Sequence, residues 1–166
     1  MCSNCTIFSW NVRGLNDPAK RASVKQTILS SGATIVCLQE TKIMNWTNDL
    51  LKETVGCKLA CQTVQLPSQG AFSGILLASD ADLFEMDLIP CASTYSISVR
   101  ISSRVEDEVW DLTGVYGPQP ETEKMSFLSE LRNIQNVMRP EWAILGDFNM
   151  IRRAREKIKD QSIEEL

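Results

Sequence analysis

Histidine does not occur anywhere in the 166 residues. Its absence removes the one side chain that titrates near neutrality, so this chain offers neither an imidazole proton shuttle nor a zinc site built on histidine. Basic residues are also scarce: 17 Lys and Arg against 21 Asp and Glu leave a net charge of −4. A dedicated nucleic-acid module usually carries a basic surplus, so nucleic acid is not the expected partner. No apolar run approaches the roughly 18 residues of a membrane span. The N-terminus lacks the basic region and apolar stretch of a signal peptide, and the chain is expected to be intracellular, in cytoplasm or nucleus, with no membrane span. Linkers, internal repeats and low-complexity segments are missing too, which at this length leaves one domain.

A hydrophobic share of 43% with 23% charged residues suffices for a packed core and argues against disorder. Cys2 with Cys5, and Cys57 with Cys61, have the spacing of metal-ligand pairs. The pairs lie far apart in sequence and no histidine can complete them. Reduced, mostly buried thiols are therefore expected rather than structural zinc, and a disulfide framework does not suit an intracellular chain of this size.

The apolar patterning alternates between strand and helix periods. Residues 6–12 are rich in β-branched and aromatic side chains and read as a strand. Asp17 can cap a helix with Pro18 in its first turn and Gly32 as its terminator. Residues 33–38 form a short apolar run suited to a buried strand that delivers Glu40 at its end. Trp46, Leu50, Leu51 and Val55 are spaced for a short helix stopped by Gly56. Strands are expected over 58–66, 74–78, 83–89, 95–101 and 109–116, the fourth half-buried with Tyr95, Ile97, Val99 and Ile101 on one face. Met125, Phe127, Leu131, Ile134 and Met138 predict the longest helix over 121–139, and 142–145 a buried strand leading to Asp147. The tail over 152–166 carries five basic and four acidic residues and reads as a solvated helix or frayed end. The division expected is thus a domain over 1–150 and a charged tail over 151–166.

Four segments carry chemistry: Phe8-Ser9-Trp10-Asn11-Val12-Arg13-Gly14, Cys37-Leu38-Gln39-Glu40-Thr41-Lys42, Val115-Tyr116-Gly117-Pro118 and Leu145-Gly146-Asp147-Phe148-Asn149. Taken singly, each has an ordinary explanation. An Asn after a strand forms turns, a terminal Glu is solvated, and Tyr-Gly-Pro is a common turn. In this order, each closing a strand, the four resemble the endonuclease/exonuclease/phosphatase family, and within it the endonuclease domains of plant LINE-type non-LTR retrotransposons. The resemblance implies an α/β fold: a DNase-like mixed β-sandwich with flanking helices, here missing the C-terminal part.

By that resemblance Glu40 is the metal ligand for Mg2+, a hard-oxygen donor of the type magnesium takes. Asn11 orients that carboxylate and touches phosphate, Tyr116 hydrogen-bonds the phosphate, Asp147 aligns the attacking water, and Asn149 helps hold the transition-state charge. The family's Ser-Asp-His segment has no counterpart here, and loss of a catalytic group commonly costs orders of magnitude in rate. The expectation is a domesticated, inactive endonuclease-like fragment that acts through protein–protein interaction, with at most weak Mg2+. Its exposed sheet would be covered by a second copy in a homodimer or by a protein partner. The alternative is a residual Mg-dependent phosphodiesterase cutting DNA.

Overall fold

The computed structural model describes residues 5–70 and 73–151. Two four-stranded sheets pack face to face. The first has the order β1-β2-β4-β3, with β1 (Ile7–Asn11), β2 (Ile35–Gln39), β3 (Thr63–Leu66) and β4 (Ile75–Ser79). The second has the order β5-β6-β7-β8, with β5 (Phe84–Leu88), β6 (Ser96–Ser103), β7 (Val109–Tyr116) and β8 (Trp142–Asp147). Both sheets are mixed: β1 runs parallel to β2 and β8 parallel to β7, while the remaining pairs are antiparallel. Each parallel pair is bridged by a helix, as parallel strands require. These helices are α1 (Pro18–Ser31) and α4 (Glu121–Gln135).

Local sequence explains the helix limits. Asp17 accepts a hydrogen bond from the Ala19 amide at 2.9 Å, and α1 ends at Gly32 in the left-handed conformation. Thr47 caps α2 (Asn48–Val55) through the Leu50 amide at 3.2 Å. Val24 and Ile28 of α1 and Leu51 and Val55 of α2 bury against Val36, Leu38, Leu76 and Ala78 of the first sheet. The other face of that sheet, with Ile35, Cys37, Ile75 and Leu77, meets Phe84, Ile97, Val99, Ile101 and Leu112 of the second sheet. The sheets approach closely at Gly114, where a Cβ would lie 2.9 Å from the Cys37 sulfur.

Five sequence expectations need correction. The strand expected over 58–66 begins with a short helix, α3 (Cys57–Ala60), because Gly56 turns the chain and Leu59 is drawn into the core beneath α1 and α2. That turn leaves Cys57 and Cys61 exposed, so the thiols are not mostly buried: of the described cysteines only Cys37 is. β6 is not half-buried. Its outer residues Ser96 and Ser98 are also covered, because Glu130 of α4 bonds Ser96 at 2.6 Å and Ser98 pairs with Thr113 at 2.8 Å. The longest helix stops at Gln135 rather than 139, and β8 is only half-buried because it is the outer strand of its sheet. Residues 152–166 and Cys2 lie outside the described residues.

Candidate active site

Every motif residue sits at or just beyond the end of a strand. Asn11 closes β1 and Asp147 closes β8, and although they belong to different sheets their side chains meet, the Asn11 Nδ2 donating to Asp147 Oδ2 at 2.8 Å. The other Asp147 oxygen accepts from the Asn149 amide at 2.9 Å, and the Asn149 side chain donates to the Gly117 carbonyl at 2.7 Å. Asn149 has φ 48, a left-handed conformation that asparagine tolerates better than most residues. Phe148 between them is anchored on Phe127 of α4, ring centroids 6.2 Å apart.

Two glycines make this junction possible. A Cβ at Gly117 would lie 2.1 Å from the Phe148 carbonyl oxygen, and one at Gly146 would lie 2.0 Å from that of Val115. Gly146 also has φ +135, a conformation essentially confined to glycine. The parallel register therefore ends with Tyr116 opposite Asp147.

Glu40 follows β2 directly, in a turn that is left-handed at two non-glycine residues, φ 55 at Glu40 and 56 at Lys42. Strain of this kind persists only where neighbours over-determine it. Here the Glu40 and Thr41 carbonyls accept from Gly14 and Leu15 at 2.6 and 2.9 Å, and the Thr41 and Lys42 amides donate to Gly74 and Ser73 at 3.3 and 2.6 Å. Arg21 holds the neighbouring loop after β1, to which this turn is bonded, donating to the Leu15 and Asn16 carbonyls at 2.8 and 3.0 Å and pairing with Glu53 at 3.0 Å. The Glu40 side chain is only 15% exposed and is paired with the Lys42 ammonium at 3.1 Å.

Tyr116 joins the two groups. Burial raises its phenol above the ordinary range, the Glu40 charge and hydrogen bond raise it further, and hydrogen bonds from Gln119 and Asn149 offset part of this. Tyr116 is thus a neutral donor aimed at Glu40, and the Glu40 and Asp147 carboxylates are connected through Tyr116 and Asn149. Glu40 and Tyr116 also line a cleft of ≈ 610 Å³ with Lys42, Thr94, Tyr95, Gln119 and Glu123, whereas Asn11, Asp147 and Asn149 lie beside its lining. Sequence reasoning did not single out Lys42, Gln119 or Arg21 as site residues. Only Lys42 left a signal, two positions beyond Glu40.

Among the described residues no group of three or more His, Cys, Asp or Glu could hold a metal ion. Magnesium needs no such cluster, since it keeps several waters and takes one or two carboxylates together with substrate phosphate. Glu40 is a carboxylate 15% exposed at the edge of an open cleft, and would be the residue to hold such an ion.

Two face-to-face mixed sheets with flanking helices, and polar residues gathered at the strand ends where the sheets meet, define a DNase-like α/β sandwich. The chain belongs to the Endonuclease/Exonuclease/phosphatase family, whose profile matches residues 8–165. Solved structures with the same fold include the endonuclease domain of TRAS1, a telomere-specific non-LTR retrotransposon (TM-score 0.65, 17% identity, 88% of this chain and 61% of that one). A conserved protein of unknown function from Enterococcus faecalis V583 is similar at TM-score 0.65 and 11% identity, over 87% of this chain and 66% of its own. A humanised D. rerio TDP2 is similar at TM-score 0.63 and 20% identity, over 89% and 67%. Among curated proteins, DNA-(apurinic or apyrimidinic site) endonuclease 2 of Xenopus laevis is 49% identical over 47 residues, which is 28% of this chain and 8% of that protein. The chain thus spans 61 to 67% of these solved chains and a small part of the curated relative. Among the described residues no helix is long and apolar enough to cross a membrane.

Proposed function

We propose that these 166 residues form a phosphate-facing half-site of the family that does not hydrolyse on its own and that works by associating with another protein surface. The observation that carries this reading is the joined set Asn11, Asp147, Asn149, Tyr116 and Glu40 in a chain without histidine. Bound magnesium would neutralise charge on phosphate oxygens. Glu40 would hold it, Tyr116 would donate to the phosphate, Asp147 would align a water with Asn11 fixing its carboxylate, and Asn149 would steady the developing charge. With no histidine, the 166 residues hold no imidazole to protonate a leaving oxygen near neutral pH. The motifs also underlie the finer parts of the proposal: descent from a plant LINE-type endonuclease, and a domain over 1–150 with a charged tail over 151–166.

The proposed association surface is the side where the outer strands β1 and β8 meet. Ile7 and Trp10 of β1 are 40% and 39% exposed, and an open strand edge with apolar side chains invites pairing. A second copy across a two-fold axis would make such a contact self-complementary and closed. The runner-up is a magnesium-dependent endonuclease whose proton donor comes from elsewhere, favoured by the complete Asn11–Asp147–Asn149 network. Nicking of supercoiled plasmid with magnesium or manganese tests the choice. Intact plasmid is the expected result, and nicking that disappears in both Glu40→Ala and Asp147→Ala proteins would establish the runner-up.

A further inference from the structure

Lys42 is placed with more care than an ordinary surface lysine. Its backbone is left-handed and fixed by the hydrogen bond its amide donates to the Ser73 carbonyl, and its own carbonyl accepts from the Asn16 side chain at 3.3 Å. Its aliphatic stem lies over Gly14, where a Cβ would come within 3.2 Å of the Lys42 Cδ and crowd it. The ammonium at the end of that stem sits 3.1 Å from Glu40 Oε1, and both side chains line the cleft. Glu40 is 15% exposed and Lys42 48%, so the carboxylate is the anchored partner and the ammonium the one with room to move.

Resting on the reading of Glu40 as the metal carboxylate, we infer that Lys42 is a resident counter-cation that makes this site respond to metal and phosphate together rather than to metal alone. Without a divalent ion, Lys42 neutralises Glu40. A divalent ion must displace that ammonium, which lowers affinity for the free ion. A phosphate anion in the cleft gives the displaced ammonium a new partner, which restores the affinity. Metal and phosphodiester therefore bind with positive coupling that passes through Lys42, each favouring the other by the same factor. A partly exposed ion pair of this kind supports an effect of about twofold to fivefold.

The test is manganese binding, read from the electron paramagnetic resonance of the free aquo ion, with and without a phosphorothioate dinucleotide. It compares wild type, Lys42→Met, which keeps the stem over Gly14, and Glu40→Gln. Lys42→Met should bind manganese alone about twofold to fivefold more tightly than wild type and should gain less from the dinucleotide. Unchanged or weaker manganese binding by Lys42→Met, with binding lost in Glu40→Gln, would overturn the role of Lys42 and leave Glu40 as the ligand. Unchanged binding in Glu40→Gln, or no binding by wild type and Lys42→Met alike, would remove the metal site and both readings with it.

Discussion

Replacing Gly146 by alanine tests whether the junction of β7 and β8 is as tight as its geometry implies. The added methyl would lie 2.0 Å from the Val115 oxygen and 3.0 Å from both the Val115 carbon and nitrogen, all backbone atoms of the neighbouring strand. Relief requires the strands to part by more than ~1 Å, because neither side has a flexible side chain that can yield. The φ of +135 adds conformational strain of about 1–3 kcal/mol for a residue with a Cβ. Together these place the loss at about 3–5 kcal/mol, among the severe single substitutions. In a chain of this size that corresponds to a fall in Tm of roughly 6–20 °C. Gly32 supplies the control: it is also left-handed, at φ +67, but its Cβ would meet nothing within 4 Å. Gly32→Ala should therefore cost only about 1 kcal/mol. Urea unfolding followed by tryptophan fluorescence measures both, and the side-chain amide resonance of Asn11 reports whether its bond to Asp147 survives. A Gly146→Ala protein within ~1 kcal/mol of the Gly32→Ala protein would refute the close-approach argument.

Asp111 is fully buried; burial pushes its carboxyl up, but Arg100, the Arg139 amide and their charges outweigh this and hold it below the usual range. Its stabilising contribution is thus present above the unfolded carboxylate value of about 3.9 and is lost as pH falls through the lower folded value. Unfolding followed from pH 7 to pH 2 should show a shallower acid loss in Asp111→Asn than in wild type, and Asp111→Ala should cost about 1.5–3 kcal/mol at neutral pH by removing the charged acceptor of the Arg100 and Arg139 hydrogen bonds. The Cys37 thiol, pushed up to about 12 by burial, should resist Ellman's reagent until the chain unfolds, while exposed Cys57 and Cys61 react in the native state. Sedimentation should show self-association weakened by Ile7→Lys with Trp10→Lys, and a concentration-independent monomer of the native sequence would refute the two-fold dimer.

The elements that could be read from the chain are those whose signals are local. Asp17, Pro18 and Gly32 bracket α1 because capping is decided within a few residues, and the inward row Ile97, Val99 and Ile101 follows from the two-residue period of a strand. What local pattern cannot carry is what a distant element does to a segment. Ser96 and Ser98 look solvent-facing until α4 and β7 are laid over them, and Leu59 looks strand-like until α1 and α2 claim it for the core. The site divides the same way. Asn11, Glu40, Tyr116, Asp147 and Asn149 were legible as strand-ending motifs. The left-handed turn that aims Glu40, and the Arg21 bonds that hold the neighbouring Leu15–Asn16 loop, depend on contacts between segments that sequence spacing does not encode.

Asn11 and Asp147 belong to different sheets, so their hydrogen bond crosses the seam where the two halves of the sandwich dock. The candidate residues come from both sheets, Asn11 and Glu40 at strand ends of the first and Tyr116, Asp147 and Asn149 at those of the second. A molecule gripped at once by Glu40 on one side and the Asp147–Asn149 loop on the other would act as a clamp on the whole fold and raise its melting temperature by its own binding energy. By the same linkage, a change deep in the seam, such as a bulkier residue at Gly114 against Cys37, would loosen that grip before it unfolded the chain. Occupancy at the rim and cohesion at the core are two readings of one equilibrium.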